Sequence, residues 1–438
     1  MSSEVGRRRV TLVPPGPVAA GAAVEVRVAV PDGAAAGATR VVAIEPDGTE
    51  HDLAAERGDD PQLLRTWWHP AGVGTARVRV GFDDGTTEEH ELEVLDVAGP
   101  ALPWFQGAWL DPFGVSGGYG FTRTPGAEDA RAMITAMAAV GIRMVVVTYV
   151  EYLGTFAYPS DIEFFDHDVG RVASGSVFDF DLVEAVLDQA DREGMHVFLG
   201  LGRSGDTHLL WEFDDARWDG RNATAIDIAT RVADELWRRY GQHPSLYGWY
   251  LTHEMNDLAR ASAYYDPVCA HVAGLAPGAP VLVAPAGTPI VDRDALARSR
   301  VDIFAYQDAV GAGYVPNVYT YDPRRRIETL DEIYAGYRAA HRDSGKHLWA
   351  DLEIWEMDGS VGYTGAYPPS WERVAEQLKI AARHVDLVTA YEWSGFMDHP
   401  GSANPRTDPR ALELYTRYAA YHAQVRGAGA DGRSGVPA

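Results

Sequence analysis

The chain divides into two parts that differ in the spacing of their hydrophobic and polar residues. In residues 1–98, hydrophobic and polar positions alternate in four short segments: 24–30, 39–44, 75–81 and 89–95. Turn sequences of the types Pro-Asp-Gly and Asp-Asp-Gly separate them, at 31–33, 46–48 and 83–85. Alternation of this kind between tight turns is typical of antiparallel strands. We therefore expect a small N-terminal β-sandwich of the immunoglobulin-like type over residues 1–98.

From residue 103 onward, continuous apolar runs alternate with amphipathic stretches. Eight runs have the length and composition of buried strands: 106–110, 144–149, 196–201, 247–252, 280–284, 301–306, 347–352 and 387–391. Helical patterns fall between and after them, as at 127–140, 182–193, 225–240, 327–342, 371–384 and 409–422. Eight strands that alternate with helices predict a (β/α)8 barrel over residues 103–424. The small, polar residues 427–438 are predicted to form a flexible tail.

A doubly wound sheet is the alternative architecture for such an alternation. It would require a glycine-rich phosphate loop after the first strand, and the glycines at 117–120 lack the spacing of that loop. The barrel is therefore the preferred prediction.

Carboxylates follow several of the predicted barrel strands. Three apolar segments end on glutamate: 246–254 on Glu254, 347–353 on Glu353 and 387–392 on Glu392. Three further acids follow predicted strands one, two and six, namely Asp111, Glu151 and Asp308. All strands of a parallel barrel point the same way, so these side chains are expected on one rim. That rim carries the active sites of barrel enzymes.

Two of these carboxylates have the placement that glycoside hydrolysis requires. One carboxylic acid must protonate the leaving oxygen, and one carboxylate must attack the anomeric carbon or activate water. Glu254 and Glu353 end strands four and seven, which lie on opposite sides of an eight-stranded ring, so we predict them as the catalytic pair. Asp351 shares a strand face with Glu353 but lies further from the rim.

Aromatic and polar residues near the strand ends are expected to bind a sugar. Aromatic rings can stack on the C–H faces of sugars, and amides and carboxylates can bind the hydroxyls. The predicted substrate-binding residues are Asp111, Tyr149, Glu151, Trp211, Asn256, Gln307, Asp308, Trp355, Glu392 and Trp393.

Three motifs carry a resemblance to a known family. The segments 248–254 (GWYLTHE), 306–311 (YQDAVG) and 350–356 (ADLEIWE) occur in the order found in a bacterial domain-of-unknown-function family of glycosidase-like TIM barrels. The resemblance covers residues 103–422. More distantly, the chain resembles the clan of retaining (β/α)8 glycoside hydrolases. This resemblance implies Glu254 as the acid/base and Glu353 as the nucleophile. The clan usually has asparagine directly before its acid/base, whereas this chain has His253.

Charge and cysteine content exclude several classes of protein. Lys and Arg number 38 against 63 Asp and Glu, which gives a net charge of -25. Such acidity argues against binding to nucleic acids and to anionic membranes. The single cysteine, Cys269, excludes an intrachain disulfide and a thiolate metal cluster. The N-terminal region has no apolar stretch of secretory or membrane-spanning length, so a cytoplasmic location is expected.

A carbohydrate is thus the predicted partner, with no cofactor and no metal, and homo-oligomerisation stays open. Two other readings remain. In a metal-dependent sugar-processing barrel, Glu151, Glu254, Asp308 and Glu353 would bind a divalent cation through oxygen. The His-Glu-x-x-His motif of a zinc site is absent from the sequence. In a non-catalytic carbohydrate-binding barrel, the aromatics would bind sugar without a reaction.

Overall fold

A computed structural model describes most of the chain. The described residues are 8–30, 37–57, 62–113, 126–166, 171–173, 176, 178–203, 210, 212–289, 291–315, 320–321, 323–357, 366–402 and 408–430.

The N-terminal region consists of two small β-sheets. Its strands are β1 (Arg9–Val13), β2 (Val18–Ala19), β3 (Val24–Ala29), β4 (Ala38–Ile44), β5 (Glu50–Leu53), β6 (Glu56–Arg57), β7 (Leu63–Trp68), β8 (Gly74–Phe82) and β9 (Thr87–Leu95). One sheet has the order β1-β3-β7-β6, and the other β2-β9-β8-β4-β5. Along β8 every second side chain is buried, which is the burial that the sequence alternation predicts. Strands β1 and β7 were not among the predicted segments.

The remainder of the described chain contains the barrel. Its strands are β10 (Gly107–Leu110), β11 (Met144–Val147), β12 (Glu151–Tyr152), β13 (Thr155–Phe156), β14 (Phe164–Asp166), β15 (Arg171–Ala173), β16 (His196–Gly200), β17 (Leu246–Leu251), β18 (Val281–Val283), β19 (Ile303–Gln307), β20 (Tyr314–Val315), β21 (Thr320–Tyr321), β22 (His347–Glu353), β23 (Glu356–Met357), β24 (Ala366–Tyr367) and β25 (Leu387–Tyr391). Eight of them close in the order β10-β11-β16-β17-β18-β19-β22-β25, with all neighbours parallel. The predicted fold class is confirmed. The other strands form short hairpins in the connecting loops.

Helices surround the barrel. They are α1 (Ala127–Ala139), α2 (Leu182–Glu193), α3 (Trp218–Tyr240), α4 (Leu258–Leu275), α5 (Arg293–Arg298), α6 (Pro323–His341), α7 (Trp371–Ala381) and α8 (Pro409–Ala430). Helix α8 continues through residues 427–430, which the sequence analysis assigned to the tail. The rest of that tail, 431–438, lies outside the described residues.

Large side chains fill the inside of the barrel. The interior cluster is composed of Trp109, Met144, Val146, Phe198, Tyr247, Tyr250, Leu282, Ala284, Ile303, Ala305, Trp349 and Leu387, and Val13 of β1 packs with it. The Trp109 and Tyr250 rings meet edge to face, with their centroids 4.9 Å apart. A barrel packed in this way has a solid core, so its chemistry is confined to the loops at the strand ends.

The N-terminal region packs against the end of the barrel where the strands begin. One guanidinium nitrogen of Arg9 donates to the carbonyl oxygens of Leu246 and Tyr247 at the start of β17, at 2.8 Å each. The side-chain amide of Gln106, just before β10, donates to the Pro17 carbonyl at 2.7 Å. The β-sandwich therefore lies opposite the rim on which the carboxylates were predicted.

A buried network of charges joins the two regions. Arg27, 2% exposed, contacts Glu25 at 3.0 Å and also Asp302, which lies just before β19 in the barrel. Glu25 also contacts Arg65. Its third partner is the ring of His347, 3.1 Å away at the start of β22. Burial alone would raise the pKa of Glu25, and Arg27, His347 and Arg65 together hold it well below its usual range.

Removal of Arg27 is expected to destabilise the protein strongly. The Arg27→Met variant keeps the volume of the side chain but leaves Glu25 and Asp302 buried beside less positive charge. Loss of one partner from a buried ion pair costs about 3–5 kcal/mol. The control is Arg77→Met, which removes an exposed contact to Glu89 and should cost less than about 1 kcal/mol. Denaturant unfolding measures both, and equal losses would contradict a structural role for the buried network.

Candidate active site

Glu254 lies at the open rim of the barrel, three residues after β17. Its side chain is 25% exposed. One carboxylate oxygen accepts a hydrogen bond of 3.0 Å from the side-chain amide of Gln307, the last residue of β19. The other oxygen lies 3.8 Å from a guanidinium nitrogen of Arg203. A partly exposed carboxylate thus faces one neutral donor and one cation.

Arg203 was not predicted from the sequence. It follows β16, and the same guanidinium nitrogen that faces Glu254 donates to the Tyr149 hydroxyl at 2.8 Å. Its backbone N–H donates to the carbonyl oxygen of Glu151 at 2.9 Å, which ties the ends of two neighbouring strands together. The sequence signal was present, because Arg203 follows its strand as closely as Glu254 follows β17. A lone arginine after a strand does not indicate by itself which carboxylate it faces.

Glu353 is the last residue of β22, and its side chain is far more enclosed than that of Glu254. The residue is 6% exposed, and one carboxyl oxygen accepts a 2.8 Å hydrogen bond from the backbone N–H of Ala312. Burial raises the pKa of Glu353 to about 8, and the neighbouring charge of Asp308 adds to this rise. These surroundings favour the protonated form of Glu353.

The loop after β19 reaches Glu353 because it contains Gly311. A Cβ atom on Gly311 would lie 2.3 Å from the carbonyl oxygen of Trp355 and 3.0 Å from a carboxyl oxygen of Glu353. Any larger residue would push this loop away from the carboxyl group. The glycine therefore lets the N–H of Ala312 approach Glu353.

Asp308 lies beneath the site surface, beside the strand that carries Glu353. It is 0% exposed. One of its oxygens accepts the backbone N–H groups of Val310 and Glu353, at 3.1 Å each, and the other accepts the side-chain amide of Gln377 on α7. Burial is the main reason why the pKa of Asp308 is raised. We infer from this enclosure that Asp308 supports Glu353, whereas the sequence suggested direct contact with substrate.

Asp351 lies one layer deeper on the same strand face as Glu353. It is 1% exposed, and the Thr389 hydroxyl donates to it at 3.3 Å. Burial first, and then the charges of Asp308, Glu353 and Glu254, raise its pKa well above the ordinary value. Carboxylates from three strand ends are therefore within electrostatic reach of one another at a single point of the rim.

A second group of acids lies where β10 meets β25. Asp111, Glu392 and Asp398 are each at most 1% exposed. Burial raises the pKa of Glu392 well above its usual range, and the charges of Asp111 and Asp398 add to this. Asp111 accepts the backbone N–H of Phe113 at 2.9 Å. The peptide bond between Tyr391 and Glu392 is cis.

Two partly exposed tyrosines lie beside the carboxylates. Tyr152, in the hairpin after β11, packs against Tyr149 with ring centroids 5.1 Å apart. Tyr391 ends β25, and its pKa is raised well above the ordinary value by burial and then by neighbours that include Glu254. Glu254 acts electrostatically on both hydroxyl groups, so these partly exposed rings are candidate surfaces for binding a sugar.

Other predicted residues have different surroundings. Trp393 is 0% exposed and meets Tyr415 of α8 edge to face, at 5.8 Å between centroids, so it packs in the helix layer. Trp355 is 3% exposed, and Glu151 is 0% exposed. Asn256 is exposed, one residue before the N-cap of α4. Trp211 lies outside the described residues.

The site thus unites some of the predicted residues and separates others. Glu254, Gln307 and Tyr149 meet around Arg203, while Asp308 and Asp351 lie next to Glu353. Asp111 and Glu392 form their own group, and the structure does not bring Asn256 or Trp393 to the carboxylates. Besides Arg203, Gln377 was missed, because a buried amide on a helix gives no sequence signal of its target.

Two further properties concern only the part of the chain that the structure describes. There, no group of three or more His, Cys, Asp or Glu side chains is placed to hold a metal ion. Likewise, none of the described helices combines the length and the apolar character needed to cross a membrane.

Comparison with known proteins identifies the barrel. Residues 106–404 match the family model described as Domain of unknown function (DUF4434). No curated protein matches the chain in sequence. A crystal structure of a candidate α-L-fucosidase from Bacteroides thetaiotaomicron VPI-5482 is similar, with a TM-score of 0.54 and 20% identity, over 73% of this chain and 93% of that chain. At this identity the similarity shows a shared fold.

Further similar structures are also glycoside hydrolases by description. One is a family 39 glycoside hydrolase from Bacteroides cellulosilyticus WH2, at 12% identity and a TM-score of 0.43, over 94% of this chain and 82% of that chain. Another is a candidate glycoside hydrolase from Bacteroides vulgatus ATCC 8482, at 13% identity and a TM-score of 0.43, over 93% of this chain and 78% of that chain.

The raised pKa of Glu353 predicts how stability depends on pH. Between pH 4.5, the ordinary value, and about 8, the folded state holds a proton that the unfolded state has released. Stability from this group is therefore lost as pH rises through that window. The Glu353→Gln variant mimics the protonated form, so its stability relative to wild type should increase from pH 5 to pH 8, by at least about 1 kcal/mol.

Denaturant unfolding of both proteins at the two pH values measures this difference. The control is Glu376→Gln on α7, whose side chain is 44% exposed and whose effect should be independent of pH. If Glu353→Gln gave the same difference at pH 5 and pH 8, the proton assigned to Glu353 would be wrong.

Proposed function

The chain belongs to the family described as domain of unknown function DUF4434, and from this premise we propose that it is a glycoside hydrolase acting on an oligosaccharide or glycoside. The observation that carries the proposal is the placement of Glu254 and Glu353. Glu254 lies three residues after β17 and Glu353 ends β22 of the closed barrel, and both charges act on Asp351. Two carboxyl groups that flank the scissile bond are the minimum apparatus for cleaving a glycosidic bond.

We propose a retaining double displacement. In such a reaction one carboxylate forms a covalent glycosyl ester while the other carboxyl group protonates the leaving oxygen, and water then releases the sugar. The two carboxyl groups of retaining enzymes lie about 5–5.5 Å apart, against about 6.5–9.5 Å in inverting enzymes. The expected product keeps the anomeric configuration of the substrate.

The surroundings of the pair favour a sugar as substrate. The partly exposed rings of Tyr152 and Tyr391 can stack on the C–H face of a pyranose or furanose, and the side chains of Gln307 and Arg203 can donate to hydroxyl groups. The fold shared with a candidate α-L-fucosidase makes aryl α-L-fucosides a natural member of a substrate panel.

Hydrolysis of a panel of aryl pyranosides and furanosides tests the proposal. Wild type should release the aryl alcohol from at least one member. Glu254→Gln and Glu353→Gln should each lower kcat/KM by about 100-fold or more, because each removes a group that acts in the transition state. The exposed control Glu376→Gln should retain wild-type activity.

Other outcomes would assign other functions. Activity that survives both substitutions but disappears with a chelator would favour a metal-dependent sugar-processing enzyme. Saturable binding of a sugar, without hydrolysis of that sugar by wild type, would indicate a carbohydrate-binding barrel.

A further inference from the structure

The two carboxyl groups of the proposed pair have opposite surroundings. Glu254 accepts a hydrogen bond from Gln307 and faces the guanidinium of Arg203. Both neighbours stabilise a negative charge. Glu353 is buried, and its carboxyl group accepts a backbone N–H while the carboxylate of Asp308 lies nearby. A buried carboxyl group next to another acid favours the neutral form.

We propose that Glu353 is the proton donor and Glu254 the nucleophile, and that Asp308 is the positioning residue that keeps the proton on Glu353. This assignment rests on the proposed function. It exchanges the roles that the resemblance to the retaining clan implies, while the same two residues stay in place.

The hydrogen bonds of Asp308 are the reason for assigning the negative charge to Asp308 and the proton to Glu353, because they oppose the rise in pKa that burial causes. Its two oxygens accept three N–H groups, from Val310, Glu353 and Gln377. Several N–H donors around one carboxylate stabilise its ionised form and offer no acceptor for a carboxyl proton. The Asp308 charge acts on Glu353 from a carboxylate that accepts the Glu353 backbone N–H.

Two arginines, Arg373 and Arg326, lie near Glu353 and Asp308. Their hydrogen bonds to these two residues go to backbone carbonyl oxygens, so they do not cancel the effect of Asp308 on Glu353. Arg373 donates to the carbonyl oxygens of Glu353 and Trp355, at 3.0 and 2.7 Å. Arg326 donates to the carbonyl oxygen of Asp308 at 2.6 Å. Both lower the pKa of Glu353, yet burial and Asp308 outweigh them and the pKa stands at about 8.

The reaction then proceeds in two balanced steps. A carboxylate oxygen of Glu254 bonds to the anomeric carbon as the glycosidic C–O bond breaks, and the proton of Glu353 moves to the leaving oxygen, which departs as an alcohol. In the second step, the Glu353 carboxylate takes a proton from water. The water oxygen bonds to the anomeric carbon, the ester bond to Glu254 breaks, and both groups regain their initial states.

Alanine variants and azide distinguish the two roles. Loss of a proton donor is tolerated when the leaving group needs no proton, so Glu353→Ala should cleave a dinitrophenyl glycoside within about 10-fold of wild type. It should lose at least 100-fold on the phenyl or alkyl glycoside. With azide present, the Glu353→Ala variant should form a glycosyl azide of retained configuration, because azide then attacks the glycosyl ester of Glu254 in place of water. With Glu254→Ala, azide should give the inverted product.

The opposite pattern, with retained azide from Glu254→Ala and inverted azide from Glu353→Ala, would overturn the exchange but leave the glycosidase standing. Absence of hydrolysis of every glycoside by wild type would overturn the proposed function and this assignment with it. The two failures are therefore distinguishable in one set of assays.

The role of Asp308 has its own measurement, the pH dependence of kcat/KM. Asp308→Asn removes the charge, so Glu353 should lose its proton at lower pH and the basic limb of the profile should move down by about one pH unit or more. The control Asp331→Asn, an exposed residue of α6, should leave the profile unchanged. A shift of the acidic limb alone, or unchanged limbs with reduced activity, would refute the positioning role.

Discussion

Closure of the parallel barrel is the constraint on which the rest of this structure depends. With all eight strands running the same way, one end of the barrel collects every strand start and the other every strand end. The interior is filled by rings such as Trp109, Tyr250 and Trp349, so no substrate can pass through it. The two ends can therefore serve separate purposes.

The end of the barrel where the strands start stabilises the fold. The β-sandwich covers it, and the buried Arg27 joins Glu25 of the sandwich to Asp302 of the barrel. Buried charges are tolerated there because each meets an opposite charge or a hydrogen-bond partner. The contacts described between the two regions lie at strand starts, at a distance of a whole strand from the carboxylates at the rim. This arrangement favours a supporting role for the sandwich over a role in shaping the cleft.

The end of the barrel where the strands finish holds several acidic side chains whose negative charges repel one another. Burial and then the charge of Asp308 raise the pKa of Glu353 and of Asp351, and burial and then Asp111 do the same to Glu392 where β10 meets β25. Such a cluster reduces stability at neutral pH and is typical of functional sites. The cost is limited because protons remain on some of the acids and because backbone N–H groups and Gln377 satisfy Asp308.

The pattern of hydrophobic and polar residues along the sequence determined the fold class and the strand ends that carry the carboxylates. Period-two alternation and repeated strand–helix units predicted the sandwich and the barrel, and the positions of Glu254 and Glu353 followed from the strand ends. The sequence could not show that Trp393 packs against α8, that Asp308 is enclosed beneath Glu353, or that Arg203 faces Glu254. Those facts depend on contacts between separate elements of the chain; Glu254 and Gln307, for example, are 53 residues apart. The position of a residue at a strand end is enough to place it at the rim of the barrel. Burial and neighbouring charges decide which carboxyl group keeps its proton, and these arise only when the barrel closes.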